Sequence, residues 1–140
     1  MSRGLRTCNP GNIRRSASGV RYVGEVEGSD REFRCFRALE WGYRALFVLL
    51  HTYFLRYGLH SIEGFISRWA PPEENHTENY IRAVAQKTGF SPTQPLSTLS
   101  AEEMIPLARA ISEVENGVKA SGAEVARGWE LFFEDYGPKE

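Results

Sequence analysis

The sequence predicts an α+β domain made mainly of helix, and three observations lead there. Apolar residues recur with the helical 3.6 period through most of the chain after Ala38. The first 37 residues read differently, as short alternating runs separated by turn residues. The balance of 41% hydrophobic and 25% charged residues is that of an ordinary globular chain. At 140 residues the chain fits one domain and buries enough surface to fold without metal or disulfide staples. The expected organisation is a single domain over 1–140, with a small sheet lobe at 1–37 and a helical lobe at 38–140.

Asn9-Pro10-Gly11-Asn12 is a turn, because Pro sets φ and Gly permits a positive one. Ile13 to Arg15 can begin a strand. Ser16 to Gly19 is turn-like, and the alternation from Val20 to Val26 predicts a second strand. Glu27 to Asp30 turns again, and Glu32 to Arg37 forms a third short strand. These make a two- or three-stranded antiparallel sheet.

About five helices follow. Leu39 to Tyr57 is apolar on most faces and suits a bundle centre, with Gly58 just past its end. Ser61 to Arg68 is a short helix that Trp69-Ala70-Pro71-Pro72 ends. Asn75 fits an N-cap for a helix to Lys87, closed by Gly89. Ser100 and Glu103 match a capping box, and Pro106 divides a first turn from a helix over Leu107 to Glu115. Ser121 and Glu124 match a second capping box, opening a helix to Tyr136 with Val125, Trp129, Phe132, Phe133 and Tyr136 inward.

Several functions are excluded or disfavoured. No apolar run approaches the ~20 residues of a membrane helix, and no apolar segment behind Met1 to Arg6 makes a secretory signal. The net charge of −1 argues against a general nucleic-acid binder. The charge is uneven, however. Residues 1–45 carry nine Arg against five acids, and residues 101–140 carry nine acids against four bases. Either the two ends pack against each other, or arginines line a groove for an anionic ligand. Cys8 and Cys35 have no metal spacing and read as buried free thiols or, alternatively, as a disulfide. His51, His60 and His76 form no metal cluster, and no phosphate-loop, zinc-protease or nucleophile-elbow motif occurs. No cofactor is expected.

Carboxylates, aromatics and amides remain, the inventory of a sugar-polymer cleft. Glycosidic cleavage needs a proton-donating carboxyl against the leaving oxygen. Glu115 stands out because it ends an apolar helix (Leu107, Ala108, Ala110, Ile111, Val114) and precedes Asn116-Gly117. The helix dipole disfavours an anion there, which suits a proton donor. The competing reading is a frayed, solvated side chain. Glu113, on a different face, ranks lower. Trp41 and Trp129 read as core. Trp69 reads as either cleft rim or core.

Arg3-Gly4-Leu5-Arg6 followed by Asn9-Pro10-Gly11-Asn12-Ile13-Arg14 resembles a phage and prophage virion structural protein family that opens with R-G-x-R-x-x-N-P-G-N-I-R. The resemblance continues through Tyr22-x-Gly24, Asp30, Phe33-x-x-Phe36, Gly42-Tyr43-Arg44-Ala45, Arg68-Trp69-Ala70-Pro71, Glu74-Asn75-x-Thr77-x-x-Tyr80-Ile81 and Glu115-x-Gly117. A looser resemblance links Asn75 to Val84 and Ala110 to Gly117 with two helices of the lytic transglycosylases and lysozyme-like enzymes, in reversed order. Asn9 to Ile13 is similar to a turn that follows the glutamate helix in bacterial glucosaminidases. Together these imply a circularly permuted lysozyme-like fold; the S-x-G-A-x-G-L-M-Q stretch of the transglycosylases is absent.

The resemblance implies a muramidase or lytic transglycosylase acting on peptidoglycan, with Glu115 as general acid and Tyr80 beside it. Asn9, Asn12, Trp69 and Thr77 would line the cleft, and Asp30 would be a second carboxylate. The implied partners are peptidoglycan glycan strands and other virion proteins. Synthesis in the bacterial cytoplasm, followed by virion association or delivery to the wall, is the expected route. The competing implication is a non-catalytic virion or wall-binding module.

Overall fold

The computed structural model describes residues 1–70 and 76–139. It is mainly helical, with a small two-stranded antiparallel sheet. In chain order the elements are α1 (Arg3–Arg6), β1 (Glu25–Val26), β2 (Cys35–Phe36), α2 (Leu39–Tyr57), α3 (Ile62–Trp69), α4 (Thr77–Thr88), α5 (Ala101–Asn116) and α6 (Gly122–Tyr136).

The sheet is smaller than the alternation predicts. Glu25 pairs with Phe36 and Val26 with Cys35. Ile13 to Arg15 contributes only a single bridge, Arg14 to Phe33. Val20 to Val23 is not a strand. Its backbone is diverted by a buried cation instead, because Val20 O accepts from Arg34 Nη1 (2.8 Å) and Tyr22 N donates to Glu25 Oε1 (3.1 Å). The Arg34–Glu25 pair at 2.7 Å holds this lobe together where a longer ladder was expected. The first turn of chain, unassigned by periodicity, is α1. The Ser2 side chain caps it by accepting from Leu5 N.

The central helices run as their spacing predicts. α2 is buried along most of its length and ends at Gly58, whose φ of 68° suits glycine. It packs most extensively on α6, where Phe47 meets Trp129 edge-on at 5.0 Å and Phe132 at 6.0 Å. Phe133 and Tyr136, expected inward, are 39% exposed at the outer edge of that pair. Ser61 caps α3 through Gly64 N. The N-cap expected at Asn75 lies outside the described residues, as does the Pro71-Pro72 stop; α4 is entered through His76.

Three local expectations are overturned in α5 and α6. Pro106 lies inside a continuous α5. The one carbonyl it deprives of a donor belongs to Glu102, which is exposed to water. The Ser100 side chain makes no capping bond, and Glu103 Oε1 accepts from Ser97 N at 2.7 Å rather than from Ser100 N. Ser121 likewise makes none.

Two apolar clusters result. The larger joins α2 to α6 through residues such as Phe47, Phe65, Ile111 and Phe132. The smaller comprises Ile13, Phe36 and Ala45, and anchors the N-terminal lobe on α2. Tyr22 and Trp69 pack against both. Cys8 and Cys35 are free thiols, Cys35 buried and Cys8 half-buried.

The two ends of the chain do meet, though hardly through charge. Arg44–Asp135 at 2.8 Å is the ion pair that joins them among the described residues. The arginines of the N-terminal lobe pair within that lobe instead, as in Arg3–Asp30, Arg14–Glu32 and Arg21–Glu27. Hydrogen bonds make the seam. Asn116 Nδ2 donates to Pro10 O (2.9 Å), and Ser2 Oγ donates to Asn116 Oδ1 (2.7 Å).

Candidate active site

α5 carries Glu115 in its last turn, and Gly117 closes that helix with a φ of 73°. The tight closure leaves the Glu115 carboxyl facing the Asn9–Asn12 turn and the first turns of α4. Its two oxygens have different partners from distant parts of the chain. Asn12 Nδ2 donates to Oε1 at 2.8 Å, and the Tyr80 hydroxyl donates to Oε2 at 2.8 Å. Both donors are neutral. By contrast, Glu25, Glu32, Asp30 and Glu113 each face an Arg or Lys.

Asn12 is held with φ at 50°, a left-handed conformation that Asn tolerates better than most residues. Its Oδ1 is buried with no hydrogen-bond partner. The turn that presents it is pinned on both sides. Gly42 of α2 passes so close that a Cβ there would stand 2.1 Å from Cys8 O. Gly11 lies against the Trp69 ring, where a Cβ would be 3.0 Å away. Burial pushes the Tyr80 hydroxyl well above its ordinary pKa. The charge of Glu115 and the hydrogen bond to it act in the same direction, and the Trp69 side chain opposes them in part. Tyr80 is therefore a proton-retaining donor.

The other candidates divide. Trp69 is half-buried at the rim, beside Asn12, and lines the adjoining groove. Asn9, expected in the cleft, is 0% exposed. Its amide bonds Ile13 N, Ile13 O and Arg34 O, so it is a brace inside the turn. Thr77, also expected in the cleft, is buried and donates to Ala70 O at 2.5 Å, joining α3 to α4. Asp30 is not beside Glu115. It accepts two bonds from Arg3 (2.5 and 2.8 Å) and two from the backbone N–H groups of Glu32 and Phe33. It lines a separate hollow that includes Arg3 and Arg6 but neither Tyr80 nor Glu115.

Beside the Glu115 cluster runs a groove of about 740 Å³ between the N-terminal lobe and α2. Asn12 and Trp69 form part of its wall, which includes neither Tyr80 nor Glu115. In the sequence Asn116 marks only a helix end. It proves to be the residue that ties α5 to the N-terminal turn, and its place between Glu115 and Gly117 was the available signal. Among the described residues no group of side chains is arranged to hold a metal ion.

No protein-family model matches the chain. Protein P5 of Pseudoalteromonas phage PM2 is 43% identical to it over 136 residues, spanning 94% of this chain and 82% of the phage protein. The chain belongs to the P5 family. Phage relationship is thereby shown.

Proposed function

We propose that the protein is a peptidoglycan-cleaving glycosidase of the lysozyme-like kind, permuted so that the glutamate helix comes last. Glu115 is the general acid. The observation that carries this reading is the convergence of Asn12 and Tyr80, far apart in sequence, on one half-buried carboxyl with no cation among its hydrogen-bond partners. A carboxyl locked to an arginine cannot pass a proton on; one held by neutral donors can.

Two donors on two carboxyl oxygens suit the ionised carboxyl. To carry a proton, Glu115 needs one partner to reverse. The Tyr80 hydroxyl can rotate to accept, and the Asn12 amide can turn over to offer the Oδ1 that is now unpartnered. Protonated in this way, Glu115 would deliver its proton to the glycosidic oxygen as the bond to the sugar breaks. Asp30 is committed to Arg3, which favours assistance by the sugar's own acetamido group over a second carboxylate.

A second reading is a non-catalytic virion or wall-binding module. The observation in its favour is that both Glu115 oxygens are taken up internally, as in a strut joining three segments. The two readings separate on incubation with purified walls and mass spectrometry of the soluble fragments. Anhydro or reducing sugar ends, lost in Glu115→Gln, establish the enzyme and name its route. Absence of fragments from every wall, with the protein still sedimenting with it, establishes the binding module.

A further inference from the structure

We infer that the groove beside Glu115 recognises carboxylates carried on the wall polymer, the acidic peptide stems attached to its sugars. This rests on the wall-cleaving reading above. Among the described residues the groove wall contains six arginines and no acidic residue. Arg34 and Arg44 are buried and already paired, to Glu25 and Asp135. The rim is different. Arg14 and Arg21 make only long, exposed pairs of 3.3 and 3.4 Å, which contribute little and exchange readily for a ligand. Arg56 is exposed at the end of α2 with no carboxylate partner among the described residues. Each guanidinium offers a planar fork that fits a carboxylate through two parallel hydrogen bonds.

The groove shares Asn12 and Trp69 with the Glu115 cluster, so a polymer lying in it would run beside the two residues that border that cluster. Its volume is within the range of small-ligand sites. A single-stranded nucleic acid would stack its bases on open aromatic faces. Three of the tyrosine rings here are already faced by guanidinium groups: Tyr57 and Tyr53 by Arg68 (3.6 and 5.5 Å) and Tyr22 by Arg34 (5.0 Å). The net charge of −1 also supplies no general field for a polyphosphate. Separate cations around a trough suit separate carboxylates.

The test measures binding, in a Glu115→Gln background so that no cleavage is involved. Short wall glycans bearing their peptides are compared with the same glycans stripped by an amidase, and with a single-stranded oligonucleotide. The expected result is about tenfold tighter binding of the peptide-bearing form. Adding Arg21→Gln and Arg56→Gln brings that ratio toward one. Equal binding of the two glycans overturns the groove assignment while leaving the cleavage reading in place. Binding of neither glycan removes both. Tightest binding of the oligonucleotide, falling steeply with salt, replaces the carboxylate by phosphate.

Discussion

Glu115 and its two donors make the sharpest predictions. Replacing Glu115 by Gln keeps the shape but turns one acceptor oxygen into a donor, so Tyr80 or Asn12 must reverse to meet it, and it should cost about 1 kcal/mol in thermal unfolding. It should remove glycan cleavage by a factor of about 10² or more. Tyr80→Phe deletes one donor to a carboxyl and should cost about 1.5–3 kcal/mol in urea unfolding, with loss of cleavage beyond what that destabilisation explains. Asp30 should behave differently. Its hydrogen bonds from Arg3, then from the Phe33 and Glu32 backbone, hold its carboxyl below the usual range. The folded value is the lower one, so its contribution to stability is present above the unfolded value near 3.9 and is lost as pH falls toward the folded one. Asp30→Asn should therefore flatten the decline of melting temperature below about pH 4 and leave cleavage at neutral pH intact. A variant that stops cleavage without unfolding would return Asp30 to the catalytic set.

The site depends on how α2 meets its neighbours. A Cβ at Gly42 would be driven into Cys8 O, Pro10 and the turn that carries Asn12. Gly42→Ala should displace that turn and cost about 1–3 kcal/mol or more. Hydrogen exchange should show protection lost first at Asn12 and Ile13. Gly128, where α6 crosses α2, would press a Cβ to 2.6 Å from Tyr43 Cβ and 2.9 Å from Glu40 O. Gly128→Ala should destabilise by a similar amount, but through the core, leaving the Asn12 turn protected as long as the protein is folded. The contrast between the two variants tests whether the turn is a separate unit docked on α2.

Across the molecule, the two ends are sewn together by polar contacts at Asn116, not by the complementary charge of the termini. Asn116→Ala removes bonds to Pro10 O, Ser112 O and Ser2 Oγ. It should cost about 2–3 kcal/mol at roughly 1 kcal/mol per bond, and proteases should then reach the first residues. Raising salt should move the melting temperature little, because one ion pair spans the seam among the described residues. A large salt effect would restore the view that charge holds the ends together.

The central helix, the short helix after it and the inward Val125, Trp129 and Phe132 of the last helix were legible from residue order, since periodicity, Ser61 and Gly58 act within a turn or two of the chain; Phe133 and Tyr136 were not. Glu115 was singled out by its place at a helix end, and Tyr80 and Asn12 by resemblance to motifs. The strands were overestimated because alternation from Val20 to Val26 says nothing of Arg34, which binds the Val20 carbonyl and competes with strand pairing. Both capping boxes matched in letters, yet Glu103 turned to Ser97, a choice set by where the preceding loop runs. That Asn9 and Thr77 brace turns, and that Asp30 belongs to Arg3, followed only from folding. Local order specifies helices because their hydrogen bonds are local. It cannot specify which of several polar side chains meets a carboxylate more than a hundred residues away in the chain, because that pairing exists only once the two ends are packed.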